Sequence, residues 1–183
     1  MRQGAWRLAL VLLVGLSASC SESRTPHRDP PAEAEPAMDP KLRELATLPE
    51  GIEVVHSPNP VQAVEERQPG QQPKYRWVYR TTVQSKSGPV TVQEFGSFAW
   101  HNGRWVFANF TGKAFSGQDF AEWYSCPDGN LLPGKEATDP SNWSGGIEQL
   151  QAGKMRWYFI GIDQAGRRVK GEAIVELAAE VVR

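Results

Sequence analysis

Apolar and polar residues alternate most clearly in the middle of the chain. Across residues 74–84, Tyr, Trp, Thr and Val side chains mostly alternate with Lys, Arg and Gln side chains. A period of two among β-prone residues is typical of a strand with one buried face. Similar runs cover residues 90–100, 155–162 and 168–177, and a shorter apolar run at 52–55 indicates a further strand. The pattern therefore predicts a chain rich in β-structure.

The sequence HNGR at residues 101–104 predicts a tight β-hairpin. An Asn-Gly pair suits both positive-φ positions of a type I′ turn, and a two-residue loop fixes the register of its flanking strands. Trp100 then faces Trp105, and Phe98 faces Phe107. Directly opposed residues share a face of the sheet, so these four aromatic side chains are expected on one face.

Three segments carry signals for short helices. An Asp-Pro pair precedes leucines at three- and six-residue spacing in residues 42–48, and an Asn-Pro pair precedes residues 61–67. Both pairs fit an N-cap followed by proline in the first turn. Ser116 with Asp119 resembles a capping box and predicts a helix that ends before Pro127.

Residues 126–153 combine Pro, Gly, Asn and Asp with few β-branched residues, and we expect a long irregular loop there. The whole pattern predicts a β-rich α+β domain, an antiparallel meander of at least five strands with one inserted short helix. Because one helix cannot cover such a sheet, the sheet is expected to curl into a partly closed barrel or fold into a sandwich. The domain is assigned to residues 41–183, with 74–178 best defined.

The N-terminus carries an export signal. Two basic residues, Arg2 and Arg7, precede an apolar run at residues 8–16. This run is about half the length that a membrane span needs, and so it is typical of a secretion signal. The small residues before Cys20 resemble the lipobox of bacterial lipoproteins. This resemblance implies cleavage of residues 1–19, attachment of diacylglycerol to Cys20, and acylation of the new N-terminus by a fatty acid such as palmitate. An ordinary signal peptide leaving a free cysteine is the alternative.

Residues 20–40 contain five prolines, five acidic and two basic residues, with little apolar content. Such a segment cannot bury enough surface to fold, so a disordered, semi-rigid acidic tether is predicted. Ser21, rather than Asp, follows the cysteine. By resemblance to the sorting of Gram-negative lipoproteins, this favours the outer membrane, with the domain in the periplasm or at the cell surface.

Composition excludes several classes of function. A formal net charge of −1 across 183 residues argues against nucleic acid as a partner. The cysteines and histidines show no metal-ligand spacing, so no metal and no cofactor are predicted. Cys126 follows the end of a predicted helix, where the dipole disfavours a thiolate, and it is expected to be a small buried apolar residue. No catalytic residue is assigned.

Aromatic residues supply the candidate binding site. The segment 126–153 contains Trp143 and is preceded by Trp123 and Tyr124. Asp139 and Asn142 offer polar groups in the same segment. Together they could line a cleft for a sugar or a peptide. The alternative is that large aromatic residues only fill the core, as expected for four other tryptophans, Trp77, Trp100, Trp105 and Trp157.

These patterns predict a non-catalytic lipoprotein of the cell envelope that binds or scaffolds an envelope protein or a glycan. One alternative is a hydrolase-type envelope enzyme that uses the 126–153 region, with titratable groups converging on Cys126, Asp128 or Asp139. Another is a structural subunit of an envelope complex that docks through the edge of its sheet.

Overall fold

The computed structural model describes residues 38–182 of the chain. The predicted signal peptide, Cys20 and nearly all of the tether lie outside the described residues. Two α-helices are present in the described part, α1 (Pro40–Thr47) and α2 (Gly117–Trp123). The strands are β1 (Ile52–Ser57), β2 (Val61–Glu66), β3 (Lys74–Ser85), β4 (Val90–His101), β5 (Arg104–Phe107), β6 (Phe115–Ser116), β7 (Asn130–Leu131), β8 (Ala137–Ile147), β9 (Gly153–Asp163) and β10 (Arg168–Val181).

All ten strands belong to one sheet, which confirms the predicted β-rich α+β class. Its main path runs β1–β3–β2–β10–β9–β4–β5, with β6 and β7 paired to β4 and with β8 paired to β3. The order differs from a simple meander because β2, β10 and β9 separate the consecutive strands β3 and β4. The sheet is also mixed, since β2 and β10 run parallel.

The sheet curls without closing into a barrel. Trp157 of β9 donates its indole N–H to the hydroxyl of Tyr79 of β3 at 2.7 Å, although β2 and β10 lie between these strands along the sheet. In the described part of the chain, β8 forms ladder pairs with β3 alone. One side of β8 therefore has no strand partner in these residues, although the Thr138 N–H donates a hydrogen bond to the Tyr124 carbonyl at 3.1 Å.

The predicted hairpin is confirmed with its register, Trp100 opposite Trp105 and Phe98 opposite Phe107. Phe98 is fully buried, whereas the Trp100 side chain at the end of β4 is 46% exposed. The expectation that Trp100 belongs to the core is therefore wrong. Its ring packs against Trp105 at a centroid distance of 5.1 Å instead of reaching the interior.

The helix expected at residues 61–67 is wrong, because this segment forms β2. Val61 and Ala63 are buried, whereas Gln62 and Val64 are exposed. This alternation has the period of a strand. The side chain of Asn59 does not cap a helix. It accepts a hydrogen bond from the Glu176 backbone N–H at 2.8 Å and donates one to the Ile174 carbonyl at 2.9 Å. Asn59 thus binds the backbone of β10 beside the start of β2.

The irregular loop expected at residues 126–153 is also corrected. Its centre is the 11-residue strand β8, which pairs with β3 and contains two register shifts. Pro140 lies in this strand, and proline is tolerated where a strand is at the edge of a sheet. Short-range composition concealed a strand whose ladder partner, β3, lies more than fifty residues earlier in the chain.

Aromatic side chains fill the inside of the curled sheet. The Phe95 ring stacks on that of Phe159 at 5.6 Å with an interplanar angle of 2° and contacts the rings of Phe120 and Tyr124 edge-on. The latter two residues come from α2 and its C-cap, so this helix packs against the interior. The predicted capping box is confirmed, because Ser116 and the Asp119 side chain bind each other's backbone N–H groups.

A second, smaller core lies under α1. Leu45 packs with Phe98, Tyr158 and Ile160, all four of them fully buried. Ion pairs hold the same helix to the sheet, from Lys41 to Glu94 of β4 and from Glu44 to Arg168 of β10. The helix predicted from the Asp-Pro pair at residues 39–40 therefore covers the outer face of β4 and β9.

Candidate functional site

A cleft of about 730 Å³ lies along β8 and reaches the chain that follows β5. Its walls come from β8, β3, β4, β9, α2 and residues 108–110. They combine aromatic rings with hydrogen-bonding groups, among them Trp123, Trp143, Phe110, Asp139, Asn142 and Asn109. Concave surfaces with apolar walls and a few convergent polar groups are the usual form of a ligand site.

Both faces of β8 contribute to the cleft. In the ladder with β3, Asn142 lies opposite Tyr79, and Trp143 lies opposite Val78. Tyr79 is buried and Val78 is exposed. Because opposed residues share a face, Asn142 points to the interior and Trp143 to the outer surface. The cleft therefore extends around the unpaired edge of β8.

A positive-φ glycine lets this edge bend close to the core. Gly145 has a φ of 110°, and a Cβ at this position would lie 2.7 Å from the Tyr75 carbonyl oxygen and 2.8 Å from the Trp77 ring. Any larger residue would strain the backbone and force β8 away from β3. Gly145 thus shapes the cleft wall next to Trp143.

The exposed indole of Trp143 is held by a cation. The guanidinium carbon of Arg76 lies 4.6 Å from the centroid of the Trp143 ring. The Arg76 Nε also lies 3.2 Å from Glu66 Oε1, although this contact does not have hydrogen-bond geometry, so the guanidinium lies between a carboxylate and the indole ring. Trp143 remains 40% exposed. A rigid, partly exposed aromatic surface is therefore present at the rim of the cleft.

A buried polar network supports the base of the cleft. Asn142 donates from Nδ2 to Thr81 Oγ1 at 2.9 Å and accepts from the Trp143 backbone N–H at 2.8 Å. The same Thr81 oxygen is 3.0 Å from His56 Nδ1. Burial lowers the pKa of His56 to about 4, so the imidazole is neutral near pH 7. The Thr81 hydroxyl that orients Asn142 is therefore in contact with a neutral imidazole near pH 7.

A second set of polar contacts crosses the interior. The Tyr79 hydroxyl lies 2.7 Å from Ser144 Oγ and accepts the indole N–H of Trp157. Burial raises the pKa of Tyr79 to about 12. These contacts join β3, β8 and β9 beneath the cleft, and they fix its width because each partner is buried.

Asn109 positions the opposite wall. Its Oδ1 accepts hydrogen bonds from the Ser97 backbone N–H at 2.8 Å and from the Ser97 hydroxyl at 3.1 Å. Its Nδ2 donates to the Lys113 carbonyl at 2.9 Å. The neighbouring Phe110 is 74% exposed. The loop after β5 is thus tied to β4 while it presents an aromatic ring at the surface.

Asp139 places a partly buried carboxyl group in the cleft wall. Burial raises the pKa of its carboxyl group, and one hydrogen bond, from the Ser141 backbone N–H at 3.0 Å, opposes this effect. Among residues 38–182, no Lys, Arg or His forms an ion pair with Asp139. Burial is the main cause of the raised pKa values of the nearby Tyr79 and Tyr124 hydroxyls, and the Asp139 charge adds to it.

The structure gathers most of the residues singled out from the sequence. Trp123, Trp143, Asp139 and Asn142 all line the cleft. Tyr124 is 1% exposed and packs with the core aromatics, so it does not line it. Sequence reasoning did not select Arg76, Asn109, Phe110 or Trp157. The alternation of β3 does indicate that Arg76 and Arg80 share the outward face of that strand. It does not indicate that Arg76 meets Trp143, because Trp143 lay in a segment with no predicted strand.

The titratable residues singled out for a hydrolase lie in two different clefts of residues 38–182. Cys126 and Asp128 line a separate cleft of about 410 Å³, whereas Asp139 lines the larger one. Cys126 is buried, as expected from the sequence, and burial raises the pKa of its thiol. Within residues 38–182, no group of three or more His, Cys, Asp and Glu side chains is arranged to hold a metal ion. In the same residues, neither helix is long and apolar enough to cross a bilayer.

No protein-family model matches the chain, and no curated protein matches its sequence at a significant level. A crystal structure of a Bordetella pertussis protein described as ApaA aligns with this chain at a TM-score of 0.41 and 14% sequence identity, covering 74% of this chain and 98% of that one.

Proposed function

We propose that this chain is a lipid-anchored protein of the bacterial cell envelope that binds a carbohydrate in the cleft along β8. The observation that carries the proposal is the composition of the cleft wall, with Trp143, Trp123 and Phe110 beside Asp139 and Asn142. Flat aromatic rings offer stacking surfaces to the apolar faces of sugar rings, and carboxylate and amide groups bind hydroxyls. A volume of about 730 Å³ falls within the range of small-molecule sites.

Preorganisation supports a binding function. Arg76 holds the Trp143 ring, and the Thr81 hydroxyl holds the Asn142 amide. Groups that are already fixed lose little side-chain entropy when a ligand binds. The absence of converging nucleophile, base and acid in the described part of the cleft favours binding over catalysis.

The anchor belongs to the same proposal. Acylation at Cys20 would fix the protein to a membrane, and the Pro-rich residues 21–40 would hold the domain away from the lipid surface. At about 3 Å per residue in polyproline II, this segment could span up to about 60 Å. A membrane-tethered domain with a sugar cleft fits a role in contact with envelope glycans.

The anchor can be tested by labelling cells with a radioactive or alkyne-bearing fatty acid. Label is expected on the wild-type chain, and the signal should be lost with Cys20→Ala. Globomycin, which blocks the lipoprotein signal peptidase, should cause the precursor to accumulate. An unlabelled, soluble mature form in untreated cells would contradict acylation.

The cleft can be tested with a carbohydrate array followed by titration calorimetry. Trp143→Ala is expected to weaken binding at least tenfold, because one stacking surface is lost. Trp100→Ala is the matched control, since that indole is 46% exposed but lies outside the cleft lining. Equal effects of the two variants would refute a carbohydrate site along β8.

A further inference from the structure

We propose that the cleft selects a carbohydrate that carries a free protonated amine, and that the Asp139 carboxylate binds this amine. The proposal rests on the proposed function and narrows its class of ligand. It follows from the charges of the cleft wall and from what surrounds them.

Among the residues that the structure describes, two charged side chains line the cleft, Arg76 and Asp139. Arg76 already has partners, the Glu66 carboxylate at 3.2 Å and the Trp143 ring at 4.6 Å. Asp139 forms no ion pair with any residue of the part that the structure describes. Once Arg76 is paired, the remaining charge of the wall is negative.

The surroundings of Asp139 make a cationic ligand more favourable than a neutral one. Its carboxylate is removed in part from water, which raises its pKa and leaves its charge poorly solvated. Within residues 38–182, the carboxylate accepts one protein hydrogen bond, from the Ser141 N–H, which leaves its other lone pairs available to a ligand. A ligand ammonium would supply both a positive charge and several N–H donors to those lone pairs.

Aromatic side chains in the same wall favour the same charge. Trp123, Trp143, Trp157, Phe110 and Phe115 all line the cleft. The negative face of an aromatic ring attracts a cation, and this attraction increases when water is excluded. An amino sugar carries an ammonium group on a hydroxylated ring whose C–H faces are apolar, so it fits both the carboxylate and the aromatic rings.

The test uses the full-length protein, extracted from membranes in detergent, and three β-1,4-linked hexamers. These are a glucosamine hexamer with free amines, the N-acetylglucosamine hexamer and the glucose hexamer. Calorimetry at pH 6 is expected to show about tenfold tighter binding of the glucosamine hexamer than of the other two, as charge-assisted hydrogen bonds predict.

Asp139→Asn should abolish this preference, because it removes the charge and keeps an oxygen for the Ser141 N–H. Asp128→Asn is the matched control, since Asp128 lines the separate smaller cleft. The preference should persist in that variant. High salt should reduce the preference in the wild-type protein, because the attraction is between charges.

The outcomes separate this inference from the proposed function. Equal binding of all three hexamers, lost in Trp143→Ala but unchanged in Asp139→Asn, overturns the amine specificity and leaves the carbohydrate cleft intact. No binding of any hexamer by the wild-type protein overturns the amine proposal, and failure of the wider carbohydrate array then decides against the cleft function as well.

Discussion

Arg76 and Trp143 stack on each other across neighbouring strands, with the guanidinium carbon 4.6 Å from the centre of the indole. This contact joins β3 to the free-edge strand β8 at the rim of the cleft. Removing the planar cation should loosen the ring without disturbing the core, because both side chains lie at the surface of the sheet.

Arg76→Lys and Arg76→Gln are therefore expected to weaken ligand binding about two- to fivefold, which corresponds to the roughly 0.5–1 kcal/mol of an exposed cation–π contact. Stability should change by less than about 1 kcal/mol, because an exposed ion pair contributes little. Calorimetry and the NMR signal of the Trp143 indole measure the two effects. Arg80→Lys is the control, since Arg80 is outward-facing on the same strand but does not line the cleft.

His56 should make the fold sensitive to acid. Its pKa is lowered by burial to about 4 from 6.5, so the folded state disfavours the imidazolium. This contribution to stability is fully present above about pH 6.5 and is lost as the pH falls towards 4. A shift of this size corresponds to about 3 kcal/mol. Urea denaturation should show a smaller loss of stability between pH 7 and pH 4 in His56→Gln than in the wild-type protein.

If the two proteins lost stability in parallel over that pH range, the imidazole would not be responsible for the acid sensitivity. The variant also tests the contact with Thr81. A glutamine amide that restores it should leave stability at pH 7 within about 2 kcal/mol of the wild-type value.

Asp139 should lower the stability of the unliganded protein at neutral pH. Burial raises the pKa of this carboxyl, so the folded state binds the proton more tightly than the unfolded state does. The resulting penalty grows as the pH rises through that raised pKa. Asp139→Asn is therefore expected to have a Tm equal to or above that of the wild type at pH 7, with the gain absent near pH 3. A clear loss of stability at pH 7 would show that the carboxylate has a stabilising partner.

Phe95 and Phe110 should separate stability from binding. Phe95 is fully buried among the core rings, and truncation to alanine is expected to cost about 3–5 kcal/mol because it leaves a cavity. Phe110 is 74% exposed and lines the cleft. Phe110→Ala should change the free energy of unfolding by less than about 1 kcal/mol while weakening carbohydrate binding. A large loss of stability in Phe110→Ala would contradict this separation.

Local signals were sufficient where neighbouring residues decide the structure. The Asn102-Gly103 turn sets the pairing of β4 with β5, and the Ser116–Asp119 capping box starts α2. The same kind of signal was misleading at Asn59, because its side chain binds the backbone of β10, which is more than a hundred residues away in the chain. A distant partner cannot be inferred from the residues around an Asn-Pro pair.

In the candidate site, too, local composition selected residues correctly but did not reveal their distant partners. Sequence alone selected Trp123, Trp143, Asp139 and Asn142, because aromatic and polar residues cluster in one segment. It did not recognise that segment as β8, whose Pro140 and Gly145 hide its strand character. The sequence also placed Tyr124 among the candidate ligand-binding residues. The packing of α2 against Phe95 buries that ring instead.

By itself, the sequence determined the β-rich class, the central hairpin and the starts of α1 and α2, because alternation, turn geometry and caps act over a few residues. Only the tertiary structure decided which strands are neighbours, which side of β8 is unpaired, and which charge lacks a partner. These features depend on the pairing of β3 with β8 and on the position of the loop after β5, which involve residues far apart in the chain. The cleft and the isolated charge of Asp139 are consequences of those long-range contacts.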